Sequence, residues 1–336
     1  MTPLLPSDSG VAFGFDDRVQ AVAKRGFSER QARFLTTVML HAGVCVPRQY
    51  ARFCGIVQGA KTQKFFARLV RDGYASMYDT RHNRARIYHV NQRALYAAIR
   101  EPDSTFRRRM SINLAIQRLM VFDAIVEDPD LVWLATAEDK AANLTALTAI
   151  APTDLPHATT GQGDARTVRY FPERLPIGIH PTGRGVLVYA FSTPDLDAFR
   201  LFVARHAAVL RALPVWTLRV VAPPHLPGIG ARARMVAEDQ LMQPMRAVTI
   251  DEMRWYFEQL RVSAPSDVER FNRCRRAFSS PRSQVIYKLW KHDGEAALAT
   301  DGSEVIRKAV ESGFGRIEVL DLGHRYGHLS PLAAVS

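Results

Sequence analysis

After Gly73 the apolar residues of this 336-residue chain stop recurring at helical intervals and begin to alternate. That switch of period, from about 3.6 residues to about 2, fixes where helix must give way to strand. Upstream of it, glycines divide the chain into short helical lengths. Val19, Val22 and Ala23 share one face of a helix that begins at Asp16 and is stopped by Gly26. Ser28 with Gln31 forms a capping box for a second helix, Glu29 to Ala42, with Phe34, Leu35, Val38 and Met39 at helical spacing before Gly43. Pro47 suits the first position of a short helix through Phe53, and Gly55 turns the chain toward another from Gly59 to Arg71. Downstream, Tyr74–Tyr78 and Arg84–Val90 are rich in aromatic and β-branched residues and flank the turn-like segment Asp79–Asn83, the pattern of a β-hairpin.

Helices followed by a two-stranded ribbon within this length are the order of a winged helix-turn-helix. The helix from Gly59 to Arg71 then carries the strongest functional signal. Lys61, Lys64, Arg68 and Arg71 are spaced 3, 4 and 3 apart and share a face, while Phe65, Phe66, Leu69 and Val70 can anchor the other. Thr62 and Gln63 stand near its N-terminal end, where such a helix meets base edges in a major groove. The hairpin is loaded similarly: Arg81, His82, Asn83, Arg84 and Arg86 crowd its tip and outer side. Residues 59–93 hold eight cations against Asp72 and Asp79, a net +6 that is half of the whole chain's +12. A cationic helix beside a cationic ribbon points to duplex DNA, bound with a steep salt dependence. The bland reading of the same residues is a solvated basic face, and winged helices also serve as protein-interaction modules.

The stretch at 28–96 opens Ser-Glu-Arg-Gln-Ala-Arg-Phe-Leu (28–35), continues through Arg-Gln-Tyr-Ala-Arg-Phe (48–53), Lys-Phe-Phe-Ala-Arg-Leu-Val-Arg-Asp-Gly-Tyr (64–74) and the wing to Ala-Arg-Ile-Tyr-His-Val-Asn-Gln-Arg-Ala-Leu-Tyr (85–96), and resembles the winged helix of replication-relaxation-type proteins. Those occur on plasmids and integrative elements. The resemblance covers about a fifth of the chain. It implies DNA binding on a mobile element, and a second unit behind the winged helix similar to restriction-endonuclease-like folds.

Such a unit can be traced. A long amphipathic helix is expected over Ser104 to Val126, opening with Arg107, Arg108 and Arg109, then a short strand at Leu131–Ala135 and a helix around Glu138–Leu147. Pro152 to Gly163 reads as loop. Strands near Thr167–Phe171, Leu175–Ile179 and Gly185–Phe191, a helix over Leu196–Leu213 and a strand at Val215–Val221 follow, an order that resembles the endonuclease core. An active member would need an acid on the second core strand and an acid-x-Lys pair on the third, to hold Mg²⁺ and activate water. The third strand here, Gly185 to Phe191, has no carboxylate and no lysine, and Glu173 alone is a poor metal site. The expected unit is therefore a degenerate, non-catalytic one, used for dimerisation or for holding DNA.

Other constellations are weak. Gly228-Ile229-Gly230-Ala231-Arg232 reads as a plain turn, Asp195 and Asp197 as helix caps, and Cys45 and Cys54 as core thiols. His324 and His328 stand four apart, but Gly323 and Gly327 oppose the helix that a metal pair would need. Arg270, Arg273, Arg275, Arg276, Arg282, Lys288 and Lys291 interleave with Phe271, Phe278, Tyr287 and Trp290, which either grip a DNA backbone or form a helical pair exposing arginines and burying aromatics. The three cysteines are too few for a disulfide framework, and no apolar run reaches membrane-spanning length.

The expectation is an α+β protein with a flexible leader (1–15), a winged helix-turn-helix (16–100), a long connecting helix within a small mixed α/β, nuclease-like but inactive domain (104–245), and a mainly helical C-terminal domain (246–336). Its expected function is sequence-specific binding of double-stranded DNA as a homodimer, as a cytoplasmic transcriptional regulator of a bacterial mobile element. No cofactor, metal, membrane or small-molecule ligand is expected. A nuclease or DNA-nicking accessory, and a winged-helix adaptor that binds protein, are the alternatives.

Overall fold

The computed structural model describes residues 14–78, 86–160, 167–298, 303–324 and 326, and shows a mixed α+β chain. It forms two compact units, one reaching to Val126 and the other spanning Glu127–Gly327. Among the described residues no helix is long and apolar enough to cross a membrane.

The first unit runs α1 (Phe15–Ala23), α2 (Glu29–His41), β1 (Val44–Cys45), α3 (Pro47–Phe53), α4 (Ala60–Arg71), β2 (Ala75–Tyr78), β3 (Ile87–Val90), α5 (Arg93–Ala98) and α6 (Ile112–Glu127). The capping box forms as its residues require: Ser28 Oγ accepts the Gln31 N–H at 3.3 Å and Gln31 Oε1 accepts the Ser28 N–H at 3.2 Å. β2 and β3 pair antiparallel, and β1, too short to show alternation in the sequence, pairs on the other side of β3 to give the order β1-β3-β2. Gly43 joins α2 to β1 at φ +72°, and a Cβ there would stand 2.6 Å from the Phe106 carbonyl oxygen, so only glycine fits.

The core is aromatic. Phe34 on α2 meets Tyr50 at 5.0 Å, Phe53 at 5.6 Å and Phe122 of α6 at 5.6 Å between ring centroids, mostly edge to face. A buried polar cluster ties α3 to α6. Arg48 donates two bonds to the Asp123 carboxylate, at 2.8 and 2.7 Å, and Gln49 Nε2 donates to both Asp123 Oδ1 (2.9 Å) and the Leu119 carbonyl (2.8 Å).

One expected element divides. The helix foreseen from Ser104 starts only at Ile112. Before it, Ser104 Oγ accepts the Phe106 N–H, the Phe106 side chain is buried, and Arg107 reaches back to the Pro102 carbonyl at 2.6 Å. Thr105–Arg107 is thus a 3-10 turn, Arg108 is extended, and the three arginines do not open a helix. Nor is α6 amphipathic: it is buried over most of its surface.

The second unit comprises β4 (Val132–Leu134), α7 (Ala137–Thr148), β5 (His157–Thr160), β6 (Thr167–Tyr170), β7 (Ile177–Ile179), β8 (Gly185–Ala190), α8 (Asp197–Ala212), β9 (Trp216–Ala222), α9 (Ile229–Met242), α10 (Ala247–Gln259), α11 (Val268–Ala277), α12 (Pro281–Asp293), α13 (Ser303–Glu311) and β10 (Gly315–Asp321). Its five-stranded sheet has the order β10-β9-β8-β7-β4, parallel from β10 to β8 and antiparallel from β8 to β4. β8 and β9 are buried throughout, as strands inside a mixed sheet must be. α8 covers one face, with Tyr189 against Phe199 (4.9 Å) and Phe202 (5.1 Å). Leu196 is the N-cap of α8 and Asp197 its first residue; Asp195, one position before the cap, accepts the Asp197 N–H at 2.8 Å through Oδ1.

Three sequence readings change here. The strand near Thr167–Phe171 is not in this sheet; it pairs with β5, which lies in the segment read as loop, and β4 takes its place. Gly228 to Arg232 is no plain turn: Gly228, at φ +72°, leads into α9, and a Cβ on Gly230 would come 2.4 Å from Val319 of β10. The compact division falls after Val126 and not near 104, and no division falls at 246, because β10 returns to pair with β9 along seven positions of the same unit.

Two stability effects follow. Asp123→Ala takes from Arg48 its carboxylate and leaves Gln49 Nε2 with the Leu119 carbonyl as acceptor; urea denaturation of the full chain should show a loss of about 3 kcal/mol, and a smaller one for Asp123→Asn. His206 on α8 is buried, its Nδ1 bonds the Phe202 carbonyl at 2.8 Å, and burial lowers its pKa to about 4. An ordinary histidine titrates near 6.5, so the unfolded chain takes up this proton first, and stability falls from about pH 6.5 downward until near pH 4. Denaturation at pH 7 and pH 5 should differ by about 2 kcal/mol from this residue, a share that His206→Gln removes.

Candidate nucleic-acid interface

α4 owes its orientation to its apolar residues. Phe65 and Phe66 are buried and lie 4.6 Å from Tyr50 and 4.5 Å from Tyr88 between ring centroids, and Leu69 is buried beside them. The helix begins at Gly59 with no side chain capping it, so its first N–H groups face outward beside the lysines. Lys61, Gln63 and Lys64 are exposed, and neither lysine is held in an ion pair among the described residues.

The candidates do not all share that setting. Thr62, expected at base edges, is fully buried, because it falls on the same side as Phe65, Phe66 and Leu69. Arg68, expected in a groove, is turned to the protein. Its Nη1 donates to the Gly26 carbonyl at 2.9 Å, its guanidinium lies 4.9 Å over the Phe27 ring, and its Nε is 3.3 Å from Asp72. Arg71 also bonds Asp72, at 2.8 Å, although its side chain is 73% exposed. These bonds, Arg71's foremost, hold the Asp72 carboxyl below its usual range. The expected ridge is therefore two halves. Its C-terminal half is fastened and partly neutralised, and its N-terminal half carries unpaired charge.

The first turn of α2 adds to the free half. A shallow cleft runs between the two helix starts, lined by Ser28, Arg30, Gln31, Gly59, Lys61 and Lys64 among others. Arg30 is exposed and was not among the sequence candidates, although its place two residues after the Ser28 cap, on the polar side of α2, was the available signal. Arg33 beside it is occupied by Asp16 at 2.9 Å. Val57, in the turn before α4, is 93% exposed. Arg81, His82, Asn83 and Arg84 lie outside the described residues; Arg86, just before β3, is exposed.

Among the described residues no three His, Cys, Asp or Glu side chains gather as a metal site would require. Glu173 accepts a bond from Arg205 at 2.6 Å, His324 is exposed, and His328 lies outside the described residues. Cys45 is buried, while Cys54 is only half-buried; burial raises both thiols' pKa values, which makes them poor nucleophiles. Set against protein-family models, curated proteins and solved structures, the chain matches none.

Proposed function

We propose that the first unit is a winged helix-turn-helix that binds double-stranded DNA sequence-specifically, and that the chain is a transcriptional regulator of a bacterial mobile element, of the replication-relaxation type. The observation that carries this reading is the free N-terminal half of α4: Lys61, Gln63 and Lys64 exposed on a helix whose opposite side is locked into an aromatic core. In this reading α4 is the recognition helix. Gln63 reads a purine edge, Lys61, Lys64 and Arg30 contact phosphates, and Arg81, His82, Asn83, Arg84 and Arg86 belong to the wing. Thr62 and Arg68 position the helix and make no DNA contact. A single unit of this size reads few bases, so a homodimer on an inverted repeat supplies the remaining affinity.

Lys61→Ala with Lys64→Ala should weaken binding to a promoter fragment and lower the salt dependence of log affinity by about two, roughly one for each phosphate that no longer meets a cation, with the thermal melt unchanged. Arg68→Ala should instead cost about 1 kcal/mol of stability and leave the salt dependence as it was. Gel shifts and anisotropy titrations at several salt concentrations separate these outcomes; a double lysine variant that binds like the parent removes the assignment.

The mixed sheet of the second unit favours a further reading as a nuclease scaffold, since β4, β7 and β8 run antiparallel and α8 leads on to a parallel β9. The side chains favour the degenerate version. β7 and β8 bear no carboxylate and no lysine, and Glu173 is bound to Arg205. Supercoiled plasmid incubated with the protein and Mg²⁺ or Mn²⁺ should stay supercoiled; nicking would put the catalytic reading first.

A further inference from the structure

Residues 270–291 contain seven cations and no acid. They make up most of α11 and α12, which pack with α10 around Met253, Tyr256, Phe257, Cys274, Phe278, Ile286 and Trp290. The aromatic residues of the segment are the ones that face this core: Phe278 and Trp290 are buried, and Phe271 and Tyr287 pack against them. On a helical period, Arg276 falls opposite the buried Cys274, with Arg273 and Arg275 to either side of it. All three are exposed, and Arg273 and Arg275 have no hydrogen bond or ion pair among the described residues. Arg282 is the exception, half-buried and donating to the Gln243 carbonyl at 2.5 Å.

The rim of the patch is held in place. Arg270 lies 4.2 Å over Trp255, Lys291 lies 5.0 Å from the centroid of Tyr287, and Arg261 lies 5.5 Å over Trp290. These contacts orient cationic side chains without neutralising them. The nearest acids along the chain have other roles or positions: Asp267 Oδ1 accepts the Arg270 N–H at 2.9 Å, Glu269 sits in the first turn of α11, and Asp293, two residues past Lys291, lies 3.2 Å from His157 Nε2. A membrane-surface helix needs bulky apolar residues facing out. Beyond Val268 at its first position, α11 exposes none.

We propose that the outer face of α11 is a second nucleic-acid site that binds the phosphate backbone of duplex DNA without reading its sequence. Three arginines spread across half a helix cannot form one row along base edges, but they match a polyanion that offers a phosphate in several directions. The site rests on the reading of DNA as this chain's partner, and it is separable from α4. Each phosphate contact contributes about 0.9 to the slope of log affinity against log salt.

The test uses the full chain, a short labelled duplex of arbitrary sequence and rising potassium chloride. Arg273→Ala, Arg275→Ala and Arg276→Ala together should lower the slope by roughly two to three, with an unchanged thermal melt, and the matching triple lysine variant should restore it. A triple alanine variant with the parent's slope overturns the proposal. So does one that keeps its slope but loses binding to phosphatidylserine vesicles, which would make the face a membrane contact. Lys61→Ala with Lys64→Ala on the promoter fragment, over the same salt range, reports on α4 alone. If that pair changes nothing while the arginine triple lowers the slope, the α4 reading fails and this one stands; the reverse pattern overturns this one and leaves α4.

Discussion

Edge-to-face packing around Phe34 decides which side of α4 meets solvent. Rings from α2, α3, α4 and α6 converge there, and Phe65 and Phe66 on α4 can join them only if the helix turns Thr62 and Leu69 inward as well. Lys61, Gln63 and Lys64 are outside for that reason. Their own charge would keep them wet in any fold, but the aromatic cluster makes them neighbours of Arg30 and of the bare start of α4. Asp123, holding Arg48 and Gln49 in the same unit, secures α3 against α6 and so fixes one wall of the cluster.

Much of the first unit was legible because its signals are local. The Ser28–Gln31 box, Pro47 at a first helical position and the glycines after each helix need no distant partner, and α2, α3 and α4 fall within a residue or so of where they were expected. β1 was not legible, since two residues make no pattern and Val44–Cys45 is a strand only because β3 lies beside it. The segment at 104–111 misled for the opposite reason. Its residues tolerate a helix, and a long-range choice, burial of Phe106 near Gly43 and His89, overrules that local tolerance.

The candidate site shows the same division. Spacing placed four cations on one face correctly, but spacing knows nothing of partners. Arg68 lies on the outer side by period, yet the Gly26 carbonyl, the Phe27 ring and Asp72 claim its guanidinium. Thr62 sits within an exposed-looking polar run, but its angle about the helix puts it with the phenylalanines. In the second unit every strand of the five-stranded sheet was found, but β5 was read as loop, and the pairing of the strands was not legible. A strand's partner is set by sheet register and crossover connections, which residue patterns a few positions long do not contain.

The fastening of Arg68 bears on the cost of association. It sits seven residues, about two turns, beyond Lys61, and clamps the far end of α4 to the loop at Gly26. If the near end docks on a polyanion as proposed, α4 meets it already folded and fastened. What must be immobilised is the rotamer freedom of two lysines and a glutamine, up to about 2 kcal/mol for each chain. A helix anchored at one end and bare at the other pays its ordering entropy when the protein folds, and little of it remains to oppose the encounter.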